Sequence, residues 1–458
     1  YNIGAGSSLG QGLAAMSSSK SSNKLISFYG RLMYNYKQKY LLSASARYEG
    51  SSRFGINNKW GMFPSVSVGW RITEEEFARN IPVFSTLKLR AGYGVTGNQD
   101  IPNYQAISRV GTTSRLFYNN GEWLNSYAPS GNPNPDLRWE KKGEFDAGID
   151  FGLWNNRITG TFDYYTRRVS DLLWNYTVPV PPNVFPTTYA NVGVMQNRGI
   201  ELSLTGDVVR AGRLNWATTI LYSSNRNKLV SFSNAARGYK LDFLKINPVN
   251  GTWSQLVLEG QPVGNFVAPI YLGVKDNGEA VYKDVNNDGK IDVASTDDRE
   301  IVGNAYPKFE LGWTNQIRYG QFDLSFFFRG VFGHSLVNYE RALYENWKPL
   351  LSGTNIVKSI LDYPDYTGVT TYDSRYVEKA SYIKFENLAL GYTIRMPNVG
   401  SLRVYASCQN LFTVTNYKGV DPEVPISNFD LRPAVNGVEN LNYYPYTKTF
   451  LIGANLNF

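Results

Sequence analysis

The stretch "TKTFLIGANLNF", residues 447–458, decides the fold. Phe450, Ile452, Ala454, Leu456 and Phe458 fall on one face. Thr449, Gly453, Asn455 and Asn457 fall on the other, with Leu451 the exception. A period of two with one apolar face is a half-buried β-strand; a helix would repeat every 3.6 residues or so. "QFDLSFFFRGVF", residues 321–332, follows the same rule. Phe322, Leu324, Phe326, Phe328 and Phe332 face one way, and Gln321, Asp323, Ser325 and Arg329 the other. In "STLKLRAGYGV", residues 85–95, Leu87, Leu89, Ala91, Tyr93 and Val95 oppose Lys88 and Arg90. A soluble sandwich would also alternate. Here the polar face carries charges and the apolar face is crowded with Phe and Tyr, which places lipid outside and water inside.

Composition agrees with a transmembrane β-barrel. The chain of 458 residues holds 33 Tyr, 24 Phe and 10 Trp, and only 18% of it is charged. That is too aromatic for a disordered chain and too weakly charged for an ordinary soluble surface. No run approaches the 18 or so apolar residues of a membrane helix. In a barrel only alternate residues meet lipid, so mean hydropathy stays negative. One cysteine, Cys408, excludes an internal disulfide framework and a cysteine-based zinc site. One histidine, His334, leaves little for histidine-dependent chemistry. The formal charge of +8 is dispersed along the chain, so it marks a solvated or lumen-lining surface and no nucleic-acid partner.

Thirteen strands are predicted, near 24–36, 39–49, 60–72, 84–96, 138–152, 157–168, 198–209, 213–229, 308–319, 321–333, 380–395, 401–413 and 446–458. Each is long enough to cross a bilayer at a tilt. Their connections alternate in length. Short turns follow Tyr36, precede Arg157 and Arg213, and surround Gly320. Long loops cover 97–137, 169–197, 230–307, 334–379 and 414–445. Outer-membrane barrels have short periplasmic turns and long extracellular loops. One connection differs: "TEEEFARNIP" gives Thr73 and Glu76 capping-box spacing and predicts a helical turn on the periplasmic side. An odd strand count makes the first and last strands run in the same direction. They cannot close on each other, so the reading expects further strands from a longer protein, as Tyr1 in place of a starting Met also suggests.

Few motifs carry chemistry. "GYGVTG", residues 92–97, matches a dinucleotide fingerprint, but "NQDIPN" follows where a helix should begin. No Ser/His/Asp or Cys/His set can be assembled, so no enzyme is expected. "DVNNDGKIDVASTDD", residues 284–298, reads like the front of a calcium loop. Asp284, Asn286 and Asp288 offer side-chain oxygens, Lys290 its carbonyl, and Asp292 a ligand directly or through water, with Gly289 at the sharp turn. The twelfth position is Ser295 instead of a bidentate Glu, so Asp297 or Asp298 would have to reach back. The alternative is an Asx-rich turn without an ion.

Several segments together resemble the SusC/RagA family of TonB-dependent outer-membrane transporters of Bacteroidetes. They are "LSASARYEGSSRFGINNKWGMFPSVSVGWRITEEEF" (42–77), "LKLRAGYGVTGNQD" (87–100), "NPDLRWEKKGEFDAGIDFGL" (134–153), "NVGVMQNRGIELSL" (191–204), "DVNNDGKID" (284–292), "ASYIKFENLALGYT" (380–393) and "LRVYASCQNLFTVTNYKGVDPEV" (402–424). The resemblance runs along nearly the whole chain in the family's order. It implies a barrel of about 22 strands with an N-terminal plug. Residues 1–458 would be its C-terminal portion, with the plug and first nine or so strands lying outside. Phe458 resembles an aromatic barrel-assembly signal. The resemblance also implies TonB-energised import of a glycan or peptide under a SusD-like surface lipoprotein. Loop aromatics such as Tyr104, Phe117, Trp123, Tyr127 and Trp253 could then stack on substrate. The competing reading is a passive barrel, or a structural or adhesive outer-membrane protein.

Overall fold

The computed structural model describes residues 20–79, 81–232, 243–246, 253–293, 295, 297–345, 347–351, 353–363, 372–397, 400–423, 437–439 and 444–458. Thirteen strands form one sheet whose spatial order is the order of the chain. They are β1 (Leu25–Tyr36), β2 (Tyr40–Ser51), β3 (Trp60–Arg71), β4 (Phe84–Asn98), β5 (Glu140–Leu153), β6 (Ile158–Ser170), β7 (Val194–Ala211), β8 (Leu214–Ser231), β9 (Phe309–Tyr319), β10 (Phe322–Phe332), β11 (Tyr382–Met396), β12 (Gly400–Thr415) and β13 (Thr449–Asn457). Every neighbouring pair is antiparallel. All thirteen expected strands are present. The boundaries differ most at β7, which runs over 18 residues where the sequence pattern marks 198–209, and at β13, which is shorter than the expected 446–458. At its start β7 continues the ladder with polar residues such as Gln196 and Asn197, where alternation no longer announces a strand.

Register keeps each strand's apolar and polar faces aligned with its neighbours'. Across the polar face Arg90, Gly148, Asp163, Glu201, Ser223 and Glu310 lie in one row from β4 to β9. Across the opposite face, Phe326 and Phe328 of β10 meet Trp313 of β9, and Phe328 stacks on Phe385 of β11 with ring centroids 4.3 Å apart. Phe327 falls on the polar side by alternation, against Gly312, and the register slip beside it leaves Glu386 of β11 as the extra residue between Phe385 and Asn387. "GYGVTG" lies inside β4 and pairs with β3 and β5, so its glycines serve a strand.

The polar face is knitted by arginines that reach over glycines. Arg90 on β4 donates to Asp150 at 2.9 Å and crosses β5 to reach Asp163 on β6 at 2.7 Å. It crosses at Gly148, where a Cβ would lie 2.2 Å from the Asp163 carboxylate. The device recurs: Arg403 on β12 crosses β11 at Gly391 to make a bidentate pair with Asp323 on β10, at 3.0 and 2.6 Å. Each bridge ties three strands, which a pair between adjacent strands cannot do.

The connections sort by rim. One rim carries the turns 37–39, 154–157, 212–213, 320–321 and 397–399, together with the segment 72–83. The other carries 52–59, 99–139, 171–193, 232–308, 333–381 and 416–448. The segment after β3 is helical as expected, with a 3-10 turn at Ile72–Glu74 and a short α-helix at Glu76–Arg79. The capping-box detail is corrected: Thr73 sits within the 3-10 turn, whose N-cap is Arg71 with no side-chain cap. The acid that organises this corner is Glu75. It accepts from Tyr40 Oη at 2.6 Å, Lys39 Nζ at 2.9 Å and Trp70 Nε1 at 3.2 Å. The Tyr40 and Lys39 hydrogen bonds hold its carboxyl down at about 2. A depressed carboxyl stabilises the fold fully above its ordinary titration range and loses that contribution as pH falls through the folded value. Glu75→Gln should therefore lower the heat-modification temperature of the assembled barrel at pH 7. The difference from wild type should vanish as pH approaches 2.

Candidate functional site

The long-loop rim is built as one connected body. Loop 52–59 docks on loop 99–139: Gly55 N donates to Leu137 O at 2.9 Å and Trp139 Nε1 to Lys59 O at 2.8 Å. Phe54, Phe63, Ile101, Ala106, Leu137 and Trp139 close around this contact as an apolar cluster. Loop 99–139 is in turn sewn to loop 171–193 by asparagines. Asn132 Nδ2 donates to the carbonyls of Phe185 and Thr187, and its Oδ1 accepts from Val184 N and Phe185 N. Asn134 reaches Tyr189 O at 2.8 Å. Short side chains that both donate and accept suit loop-to-loop contacts, where backbone groups have no ladder partner. A second apolar cluster joins 171–193 to the loop after β8 through Tyr176, Val178, Val192, Phe232 and Val263. A third joins that loop to 333–381 and to Val438 through Phe266, Ala268, Val337, Tyr372 and Tyr376.

Within this body Arg375 is fixed by a bidentate pair with Asp373 and lies 3.9 Å from the Tyr271 ring centroid. Burial raises the Asp373 carboxyl above the usual range, against the lowering effect of Arg375. Farther along, Arg341 holds Glu345 and Glu378, and Glu345 is fully buried. Burial also raises Glu439, despite the backbone N–H groups of Val420 and Glu340 that it accepts. These charges are paired or hydrogen-bonded, as buried charges must be.

The aromatic residues read from the sequence are placed differently from one another. Tyr127 is 68% exposed on the hairpin formed by Val110–Asn119 and Glu122–Pro129. Tyr104 is partly exposed, has a positive φ of 68°, and its Oη accepts from Ser22 N at 2.8 Å. The side chains of Phe117 and Trp123 lie outside the described residues. Trp253 is only 6% exposed. Its ring lies 4.0 Å beneath the Arg299 guanidinium, which also donates to Trp253 O, so this ring is taken up inside the protein and is not held out to a ligand. Sequence patterns give no sign of a polar cleft at the rim. About 340 Å³ in volume, it is lined by Arg47, Glu49, Arg53, Asn98, Asp100 and Trp139. These residues come from β2, β4 and two connections, and no local motif joins them.

The Asp-rich segment forms a compact loop. Its side chains turn onto backbone N–H groups: Asp284 Oδ2 accepts from Gly289, Asn286 Oδ1 from Asp288, Asp288 Oδ1 from Lys290 and Asp292 Oδ1 from Ser295. Asp298 is the buried member. It closes the loop by accepting from Val285 N at 3.1 Å and Asp292 N at 2.7 Å. Asn287 and Gly289 supply the positive φ values of 58° and 79° that the turn needs. Asp297 N donates to Ser295 Oγ, and the Asp297 side chain is exposed. Among the described residues no three acidic, histidine or cysteine side chains gather where an ion could sit. One atom stands out: Asp284 Oδ1 is buried and has no hydrogen-bond partner among the described residues.

No hydrolytic constellation forms among the described residues. His334 is buried, and burial holds its imidazole below the ordinary value. Cys408 is a half-buried free thiol on β12. What the rim and the polar face offer is binding: charged and amide side chains above and along a water-facing wall.

Known proteins share this arrangement. The family described as "TonB dependent receptor-like, beta-barrel" matches residues 1–411. "TonB-dependent receptor P3" of Formosa agariphila is 31% identical over 95% of this chain and 46% of its own length. "TonB-dependent receptor SusC" of Bacteroides thetaiotaomicron is 32% identical over 95% of this chain and 44% of its own. Among solved structures the RagAB peptide transporter superposes with a TM-score of 0.80 at 27% identity, covering 95% of this chain and 47% of that one. The chain thus spans about half the length of the curated relatives it matches.

Proposed function

This chain belongs to the TonB-dependent receptor β-barrel family and is of the SusC/RagA type, an outer-membrane barrel, and from that premise we propose that the protein of which it forms part imports a nutrient too large for porins. The cargo is a glycan or a peptide, taken up under a SusD-like surface lipoprotein and energised by TonB through the N-terminal plug. The observation that carries this reading is the division of the wall into an aromatic lipid face and a charged lumen face, crowned by long loops on one rim only. On this reading the loop rim is extracellular, and the cleft of Arg47, Glu49, Arg53 and Trp139 is a first contact for polar cargo. Tyr104, Trp123 and Tyr127 belong to the same rim. The import reading is tested in the host cell. Deleting the gene should abolish uptake of one class of labelled oligomer, oligosaccharide or oligopeptide. Dissipating the proton-motive force should reproduce the loss in wild type, and a surface lipoprotein should copurify with the barrel. Uptake that persists without the proton-motive force would mark a passive barrel instead.

For the Asp-rich loop we propose a structural Ca²⁺ held by Asp284, Asn286, Asp288, the Lys290 carbonyl, Asp292 and Asp297. Its support is the partnerless, buried Asp284 Oδ1 beside a turn of the right shape, and the self-repulsion of five carboxylates within fifteen residues. The ion would order the loop without entering transport. In millimolar calcium, wild type should resist proteolysis in 284–298, and chelation or Asp288→Ala should remove that resistance while leaving barrel assembly intact. Equal protease sensitivity in all three would leave an Asx-rich turn.

A further inference from the structure

The lipid-facing side of β2–β6 is dented. Near the short-turn rim, Tyr40, Trp70, Leu89, Ile149 and Phe162 stand in one row across these strands. In the next row toward the long loops, Leu42 and Val68 are followed by Ala91 and Ala147, and then by Tyr164. In the row beyond, Tyr93 and Phe145 stand two residues along from the two alanines, on the same face. Two methyl groups set among large side chains leave a groove of about 670 Å³. Ala91 and Ala147 form its floor. Tyr34, Tyr40 and Trp70 wall one side, and Phe162 and Tyr164 the other.

One wall of the groove is fixed from the rim. Tyr40 Oη and Trp70 Nε1 both donate to Glu75 Oε1, at 2.6 and 3.2 Å, and Lys39 Nζ donates to Oε2 at 2.9 Å. The polar ends of the two rings are therefore held toward the short-turn rim, and their apolar bodies are left to line the groove. Tyr40, Tyr36 and Tyr34 stack in series, with centroids 6.4 and 6.5 Å apart. Lys37 Nζ lies 5.3 Å from the Tyr36 ring and makes no ion pair among the described residues. At this end the apolar groove thus meets hydroxyl and ammonium groups.

We propose that the groove is a phospholipid site: one acyl chain lies over Ala91 and Ala147, and the phosphate rests at Lys37. The groove is continuous with the wall that lipid covers, so hydrocarbon is the medium that already meets it. An unfilled dent costs its lining dispersion contacts, and a flexible chain of methylenes restores them. A second barrel wall is convex and cannot reach a floor sunk between aromatic rings. On the lumen side of the same patch Arg90 crosses β5 at Gly148, so the wall carries methyl groups outside and bare backbone inside. The bound chain backs the wall where it is thinnest. The choice of phospholipid rests on the proposed function, in which the short-turn rim is periplasmic and meets the phospholipid leaflet.

The test uses the full-length protein extracted from its own outer membrane. Native mass spectrometry counts the lipid retained through rising detergent washes. Wild type should keep one phospholipid after the ordinary surrounding lipid is gone. Ala147→Trp fills the floor and denies the chain the contact of about two methylenes, so retention should fall about tenfold. Leu390→Trp, exposed on the lipid face of β11 away from the groove, should leave retention unchanged. Lys37→Gln should weaken retention, and Lys37→Arg should keep it, which a merely apolar groove would not show. Heat-modifiable mobility verifies that each variant is assembled, and Ala91→Ile serves if Ala147→Trp does not assemble. No retained lipid in wild type, or equal retention with alanine and tryptophan at 147, overturns the site and leaves the import reading standing. Retained lipopolysaccharide overturns it together with the assignment of the rims. A dimer that Ala147→Trp dissociates, with no lipid retained, overturns it in favour of a second copy of the protein.

Discussion

Residues 1–458 expressed alone will not give a heat-modifiable, protease-resistant channel in lipid. The reason lies in direction. Thirteen strands joined antiparallel in sequence leave β1 and β13 running the same way, each from the long-loop rim toward the short-turn rim. An antiparallel ladder between them is impossible. β1 is exposed along all twelve of its residues, and Ile452 and Phe450 of β13 are 84% and 69% exposed. About half the backbone N–H and C=O groups of each edge strand then point into hydrocarbon, at several kcal/mol apiece. Leaving the two edges unpaired in lipid therefore costs roughly thirty kcal/mol or more. The measurement is reconstitution followed by gel mobility with and without heating. A faster-running unheated species from this segment alone would defeat the argument. Supplying the preceding part of the same protein in trans should restore the species, because it carries the missing strands in the proposed assembly.

The wall is legible in the sequence and the rim is not, for one physical reason. A barrel strand is a local object: side chains two residues apart see the same solvent, so alternation in "TKTFLIGANLNF" or "QFDLSFFFRGVF" reports the fold without knowledge of the neighbours. Thirteen strands, their order and the sorting of short and long connections follow from that signal. The rim depends on contacts between residues far apart in the chain. Trp253 looks like any loop tryptophan until Arg299, 46 residues on, is seen lying across it. Asn132 reaches Thr187, 55 residues away. The Asp-rich segment is legible as a turn; its closing residue, Asp298, is legible only as one of two alternatives. Thr73 has the right spacing to Glu76 for a helix cap. Yet the acid that matters at that corner is Glu75, whose partners Lys39 and Tyr40 come from another hairpin. Glycines show the same limit. Gly148 and Gly391 read as weak points in strands, and only the crossing arginines explain them.

Gly55→Ala should release loop 52–59 from the rim. "SSRFG" carries Gly55 into a very close backbone approach: a Cβ built there would lie 1.6 Å from Pro135 O and 2.6 Å from Pro135 C. A backbone carbonyl cannot swing aside as the end of a lysine can. Gly55 N also donates to Leu137 O, so a hydrogen bond holds the two segments at this distance. To admit one methyl group the chain must lift by roughly an ångström or more, the shortfall from ordinary packing distance. That motion draws Phe54, 2% exposed, out of its place against Trp139, whose ring centroid is 5.0 Å away. It also strains the Trp139-to-Lys59 hydrogen bond and the Asn134-to-Tyr189 bond that continues to the next loop. Overpacking of this kind costs roughly 1–3 kcal/mol. At about 1.4 kcal/mol per decade, the open population of the rim rises about tenfold. The readout is a cysteine introduced by Ala106→Cys, at a position 7% exposed within the same cluster. Its labelling rate in the assembled, full-length protein should rise about tenfold on Gly55→Ala, by the same conversion. Gly206→Ala is the control, since a Cβ on β7 there meets nothing within 4 Å and should leave the rate unchanged. Equal labelling of the introduced cysteine with glycine and with alanine at position 55 would show that the rim does not depend on this contact.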